Sequence, residues 1–422
     1  MAVPEGLRTS AVSRPSTPYY PRTGSRGRFA SRRRKPAGDV LRYLRPASRG
    51  GGCMAYHIPM PIDVFAAFGR SDGLRLLHRP LGLVMPHLMG VMNRRMICRV
   101  IRLAGRRIAA PSCGSPATQL TGTSVRSNLC DGRVMFETIA KAVTTWKMDG
   151  DFTFSDLTVE PEACGCAIEM PENSLPYVLT HPVGHAEDLR ALRVPDPHAD
   201  GRMPVFVECV RLLSRRFSLL TIAGGSGPFT LAGELMGTER AAVATIDDPG
   251  FLAEVLEFCL EVNLRYLKAL GEAGAEVILL GEPTAAILSP PSFRRFSGAY
   301  IKRLVEEVKQ PLILHMCGNV SHLIEEMCAT GALGISLDGP TDLRDAAGRV
   351  APHTLVVGNL DPVEVFLGMD AEGVRTRTRE MLASMRGFPY YVAASGCDLS
   401  PITPTRNIEA FLETVKSYRY QA

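Results

Sequence analysis

Long apolar runs are missing from this 422-residue chain. No stretch reaches the roughly 20 residues needed to cross a bilayer, so a membrane partner is not expected. The nearest candidate, PLGLVMPHLMGVM at 80–92, is short and interrupted by Pro86 and His87, which leaves it an interfacial or packing segment at most. A disulfide framework is missing too. The eleven cysteines are odd in number and widely spread, which points to a reducing compartment, the cytoplasm, with few thiols used in chemistry and most serving as small core residues. Acidic residues are scarce only at the start, where residues 1–52 hold eleven Arg and Lys35 against Glu5 and Asp39. The remainder is slightly acidic, which excludes a basic folded domain and with it a nucleic-acid partner. No Gly-rich dinucleotide fingerprint follows an early strand. The sequence GGSGPFT (224–230) lacks the Lys-Ser/Thr ending of a phosphate loop and reads as a tight strand-to-helix turn that lets backbone approach a ligand.

What is present is the composition of a globular protein, 45% hydrophobic and 22% charged, which excludes a wholly disordered chain. Residues 1–91 are the exception in character. Their first part is rich in Arg, Pro, Ser and Gly and cannot bury enough apolar surface to offset the entropy of ordering. The expectation is a mostly disordered, solvated extension. A polyanion-binding arm, a transit peptide, and a gene start set too early (with Met54 or Met92 as the true start) are the alternatives. The folded domain is expected over 92–422, beginning with a basic helix at MNRRMICRVIRLAG.

From there short apolar runs alternate with helical patterns. Strand candidates fall at 106–112, 151–155, 219–224, 276–281, 311–317, 333–338, 354–359 and 390–397. One intervening helix is capped by Asp248, takes Pro249 in its first turn, and carries Leu252, Val255, Leu256, Cys259 and Leu260 as an apolar stripe. Gly271 and Gly274 are expected to end it. Others open at SPPSF (289–293), with Phe293, Phe296, Tyr300, Leu304 and Val308 inward, and at TPTRN (403–407), with Ile408, Phe411, Leu412 and Val415 inward. Eight βα units in this length predict an α/β fold, a single (β/α)8 TIM barrel with insertions; a doubly wound open sheet is the alternative.

The fifth strand, PLILHMC, ends on two metal-ligand types. Residues i and i+2 of a strand point to one side, so His315 and Cys317 face together at the C-terminal end, where barrel active sites lie. Cys397, in AASGCDLSP, ends the eighth strand in the same layer. One His and two thiolates form a zinc set that leaves a fourth position for substrate or water. Asp338, ending the sixth strand, is a weak fourth ligand that substrate could replace. The pair in ACGC (163–166), preceded by Glu160 and Glu162, has no further His or Cys near it and reads as packing. Cys98, Cys209, Cys259 and Cys328 sit on helical patterns and read as core.

HMCGNV followed by SGCDLSPITPTRNIEAF resembles the uroporphyrinogen decarboxylase superfamily, in its corrinoid-dependent methyltransferase branch. SPATQLTGTSV (115–125), LTVEPEACGC (157–166), GSGPFTLAGELMG (225–237), GEPTAAILSP (281–290) and VVGNLDPVEVF (356–366) extend the resemblance over about 100–420. It implies a TIM barrel, zinc on His315, Cys317 and Cys397, and methyl transfer from a methylated corrinoid protein or methylcobalamin to a small thiol such as coenzyme M or homocysteine. Glu282, Asn319, Asn359 and Asp361, at strand ends or loop starts, are candidates for contacts to ligands or acceptor, with capping of strand ends as the other reading. Metal-free decarboxylation of a tetrapyrrole is the alternative function. RRIAAPSCGSP (106–116) does not resemble the decarboxylases' arginine-rich motif, and decarboxylation has no use for the His/Cys/Cys set.

Overall fold

The computed structural model describes residues 106–217 and 220–419. The extension, the domain start near 92 with its basic helix, the segment 80–92 and Cys98 lie outside the described residues. No helix among the described residues is long and apolar enough to cross a membrane.

Seven parallel strands form one curled sheet: β1 (Gly150–Phe152), β4 (Leu220–Ser226), β5 (Val277–Gly281), β6 (Leu312–Met316), β7 (Gly334–Leu337), β8 (Leu355–Leu360) and β9 (Tyr391–Ser395), hydrogen-bonded in that order. A small antiparallel ribbon of β2 (Ile168–Glu169) and β3 (Tyr177–Val178) stands apart from it. These are the second to eighth expected strands. The first is reduced to a parallel bridge between Ala109 and Ala393, with Ala110 N–H donating to Ala393 O and Ala393 N–H to Ile108 O. This segment therefore occupies the first barrel position and closes the ring beside β9. Its other side meets β1 through a side chain instead of a ladder: Ala109 N–H donates to Asp149 Oδ2, and Arg106 pairs with the same carboxylate at 2.6 Å. A carboxylate that takes the backbone donor leaves no ladder for a full strand to join.

The strands alternate strictly enough to separate two cores. On β6, Leu312, Leu314 and Met316 are buried in the main cluster beneath the helices, whereas Ile313 joins Val357, Val392, Ala394, Ile108 and Ala110 in a second, small cluster inside the ring. His315 shares the inward side of Ile313. The helix Pro249–Ala273 begins at its Asp248 cap, buries the expected stripe and ends at Gly274, whose φ of 117° suits a residue without Cβ. Gly271 stays inside that helix instead of ending it; a Cβ there would meet the Gln310 side chain at 2.3 Å. The residues expected inward at 293–308 and 408–415 are all buried.

Candidate metal centre

His315 stands on β6 one residue before its end, Cys317 follows the strand, and Cys397 lies two residues beyond β9. Gly318 (φ 77°) turns the chain away directly after Cys317. The three side chains meet. Cys317 Sγ lies 3.3 Å from His315 Nε2 and 3.5 Å from Cys397 Sγ, and Cys397 Sγ lies 3.7 Å from His315 Nε2. A tetrahedral zinc with Zn–S of about 2.3 Å and Zn–N of about 2.0–2.1 Å would have ligand-to-ligand edges of about 3.6–3.8 Å. The three separations come within about 0.3 Å of the edges of one face of such a tetrahedron. Among the described residues no other group of three His, Cys, Asp or Glu converges in this way.

The electrostatics follow from the contacts among the three side chains. The contact with Cys397 holds the Cys317 thiol below its ordinary pKa, against its burial. The same contact, together with burial, pushes Cys397 up. Burial pulls His315 down, but the bond to Cys397 and the charges of Cys397, Asp398 and Asp338 outweigh it, so the net direction is up. Two thiolates and an imidazole are a soft donor set, of the kind zinc takes.

Surrounding groups fix the ligands. Ser336 Oγ is 3.1 Å from His315 Nδ1. Asp338 lies beside the three but stands outside the group that converges; its oxygens accept from the backbone N–H groups of Gly318 at 2.9 Å and Gly339 at 2.7 Å. Thr341 Oγ1 donates to Gly318 O and accepts from Val320 N–H. Asn359 Nδ2 donates to the carbonyls of Asp338 and Thr341, pinning that loop.

The other candidates part company. Glu282 is fully buried, and its carboxylate accepts from Phe229 N–H, Thr230 N–H and Ser297 Oγ. It caps the N-terminus of the helix Pro228–Met236, where the macrodipole favours an anion. That also explains GGSGPFT. Its Phe229 and Thr230 N–H groups donate to Glu282 and its Ser226 N–H to Glu160, so the chain's own groups take these donors, and a Cβ on Gly227 would meet Glu282 Oε2 at 2.3 Å. Asp361 likewise caps the turn Pro362–Leu367. Asn319 is exposed and accepts from Ser321 N–H. The capping reading therefore holds for Glu282 and Asp361, and Asn319 and Asn359 remain at the mouth. Cys164 and Cys166 are buried, with pKa values pushed up by burial, and belong to the core, as do Cys209 and Cys259.

Sequence reasoning missed Ser336, Ser112, Ser155 and Asp398. For two of them a signal was present. Ser336 precedes Asp338 by two on one strand face, and Asp398 directly follows Cys397. Asp398 Oδ1 accepts from Ser155 Oγ at 3.0 Å and from Ser112 Oγ. Burial pushes this carboxyl up in pKa against those two bonds.

The family model of uroporphyrinogen decarboxylase matches residues 94–418. Among curated proteins, a methylcobamide:CoM methyltransferase of Methanosarcina mazei is 31% identical over 63% of this chain and 78% of its own length. A uroporphyrinogen decarboxylase of Alkalilimnicola ehrlichii is 29% identical over 66% and 79%. Among solved structures, a methyltransferase from Methanosarcina mazei superposes with a TM-score of 0.68 at 24% identity, covering 74% of this chain and 94% of that one. That likeness supports the barrel.

Proposed function

The chain belongs to the uroporphyrinogen decarboxylase family, and within it we propose a zinc-dependent methyltransferase that moves a methyl group from a methylated corrinoid to the sulfur of a small thiol. One observation carries the reading: His315, Cys317 and Cys397 converge within 3.7 Å of one another at the C-terminal ends of two barrel strands. The similarity to a methylcobamide:CoM methyltransferase supports it. Decarboxylation gives these three side chains no work.

Zinc held by His315 Nε2, Cys317 Sγ and Cys397 Sγ would supply the Lewis acidity that keeps an acceptor thiol deprotonated near neutral pH. Cys317 and Cys397, as thiolates, balance the ion's two charges, so an added sulfur stays electron-rich. Ser336 orients the imidazole, and Asp338 holds the Gly318 turn that carries Cys317 in place. In the transfer, the sulfur–carbon bond forms as the carbon–cobalt bond breaks. The bond pair stays with cobalt, which leaves as Co(I), and the thiol proton goes to solvent. A corrinoid is large, so a corrinoid protein would dock over the barrel mouth, with Asn319 and Asn359 at its edge. Coenzyme M, homocysteine and other thiols all suit this chemistry.

The test is elemental analysis of the purified chain beside Cys317→Ser, then incubation with methylcobalamin and a thiol panel while cob(I)alamin is followed spectroscopically. About one zinc per chain, lost in the variant, with thiol-dependent cob(I)alamin formation, is expected. Turnover of a tetrapyrrole by zinc-free protein would overturn the reading.

A further inference from the structure

Cys397 is the ligand furthest from regular structure, two residues past β9, yet its sulfur sits within 3.7 Å of both partners. The reason lies in two other strand ends. Ser112, at the end of the first barrel segment, touches the arc 395–399 at three points. Its N–H donates to Ser395 Oγ at 3.0 Å, its hydroxyl donates to Asp398 Oδ1, and its carbonyl accepts from Leu399 N–H at 3.0 Å. Ser155, following β1, gives Asp398 Oδ1 a second hydroxyl at 3.0 Å. Cys397 lies inside this arc, held on both sides.

We infer that Ser112 and Ser155, acting through Asp398, are positioning residues that place the Cys397 sulfur and so set how tightly the site holds its metal. This rests on the metal reading above. The physical case is that a ligand on a loop must be ordered before it binds. Pre-ordering by hydrogen bonds removes that entropy from the binding step. Groups behind metal ligands typically carry about 10–100-fold in affinity. Neither serine touches a ligand atom, so the effect passes through the arc.

The experiment uses the full chain and three variants, Ser112→Ala, Ser155→Ala and Asp398→Asn. Zinc affinity is measured by competition with a chelating dye, and the Co²⁺-loaded protein is examined for its sulfur-to-cobalt charge-transfer band. Thermal midpoints of the metal-free forms are recorded alongside. In metal-free protein, the alkylation rates of Cys397 and Cys317 by iodoacetamide are compared by mass spectrometry. The expected result is about tenfold weaker zinc binding per variant, a shifted band, and Cys397 alkylated several-fold faster with Cys317 unchanged. A purely structural role would lower the metal-free midpoint and leave these untouched. Unaltered affinity and alkylation in all three variants would overturn the inference. If Ser112→Ala does not fold, Ser155→Ala, which removes one hydroxyl, decides. Should the parent take up no zinc, the proposed function fails, and the alkylation ratio alone judges the clamp.

Discussion

His315 and Ser336 are register partners on adjacent strands, and a 3.1 Å hydrogen bond joins His315 Nδ1 to Ser336 Oγ. With Nδ1 as donor, the lone pair of Nε2 is left facing the two sulfurs. Ser336→Ala removes that constraint, and zinc affinity is expected to fall about tenfold with little change in fold stability. Dye competition and a denaturant melt read the two effects separately.

Gly396, between β9 and Cys397, touches the end of the sixth barrel strand. A Cβ there would meet Gly339 N at 2.5 Å and Asp338 Oδ1 at 2.8 Å. Because the first clash is with backbone, Gly396→Ala must push the Cys397 loop outward. The expected outcome is loss of stoichiometric zinc, seen by elemental analysis, while the circular dichroism spectrum keeps its shape.

Asp151 is buried beside Thr221, and burial outweighs that neighbour's hydroxyl to push its pKa up to about 8. A folded pKa above the unfolded one means that folding takes up a proton. The stabilising contribution is complete below the unfolded pKa of about 4 and is lost as pH rises through about 8. Asp151→Asn should therefore be more stable than the parent at pH 8–9, the gap growing by up to about 1.4 kcal/mol per pH unit between about pH 4 and 8 and levelling above that. Guanidinium midpoints at pH 5, 7 and 9 test it. A gap that shrinks as pH rises would contradict the assignment.

Arg202 is buried beside Asp156, and also reaches Glu162 at 2.6 Å and Thr158 Oγ1 at 2.7 Å. Arg202→Met strands the buried Asp156 carboxylate, and a cost of about 3–5 kcal/mol in urea unfolding is expected. Zinc content per folded chain should not change.

Strand order and the convergence of His315, Cys317 and Cys397 were legible because both rest on short patterns. An apolar run of parallel-sheet length is visible in any barrel strand, and period two puts His315 and Cys317 on one side without knowledge of the fold. Cys397 could be added because it ends a strand in the same layer. Glu282 was left between two readings, since a carboxylate at a strand end has the same sequence appearance whether it meets substrate or caps a helix. Only the position of Phe229 and Thr230, over fifty residues away in sequence, tells them apart. The first strand was over-read for a related reason. RRIAAPS has strand composition, yet the Asp149 carboxylate takes the backbone donor of Ala109. Serines such as Ser112 and Ser155 carry no pattern at all, and their meaning comes from the arc they grip.

The bridge between Ala109 and Ala393 joins the first barrel position to the last, and the three convergent side chains span 82 residues of chain between His315 and Cys397. A growing polypeptide that has made His315 and Cys317 holds only a bidentate fragment. The third donor arrives with the last strand, and the serines that steady it belong to the first two positions of the ring. On the proposed reading, all three donors would be together only once the ends of the domain have met. Bound metal would then act as a latch on a finished ring, and an unclosed one could not be loaded.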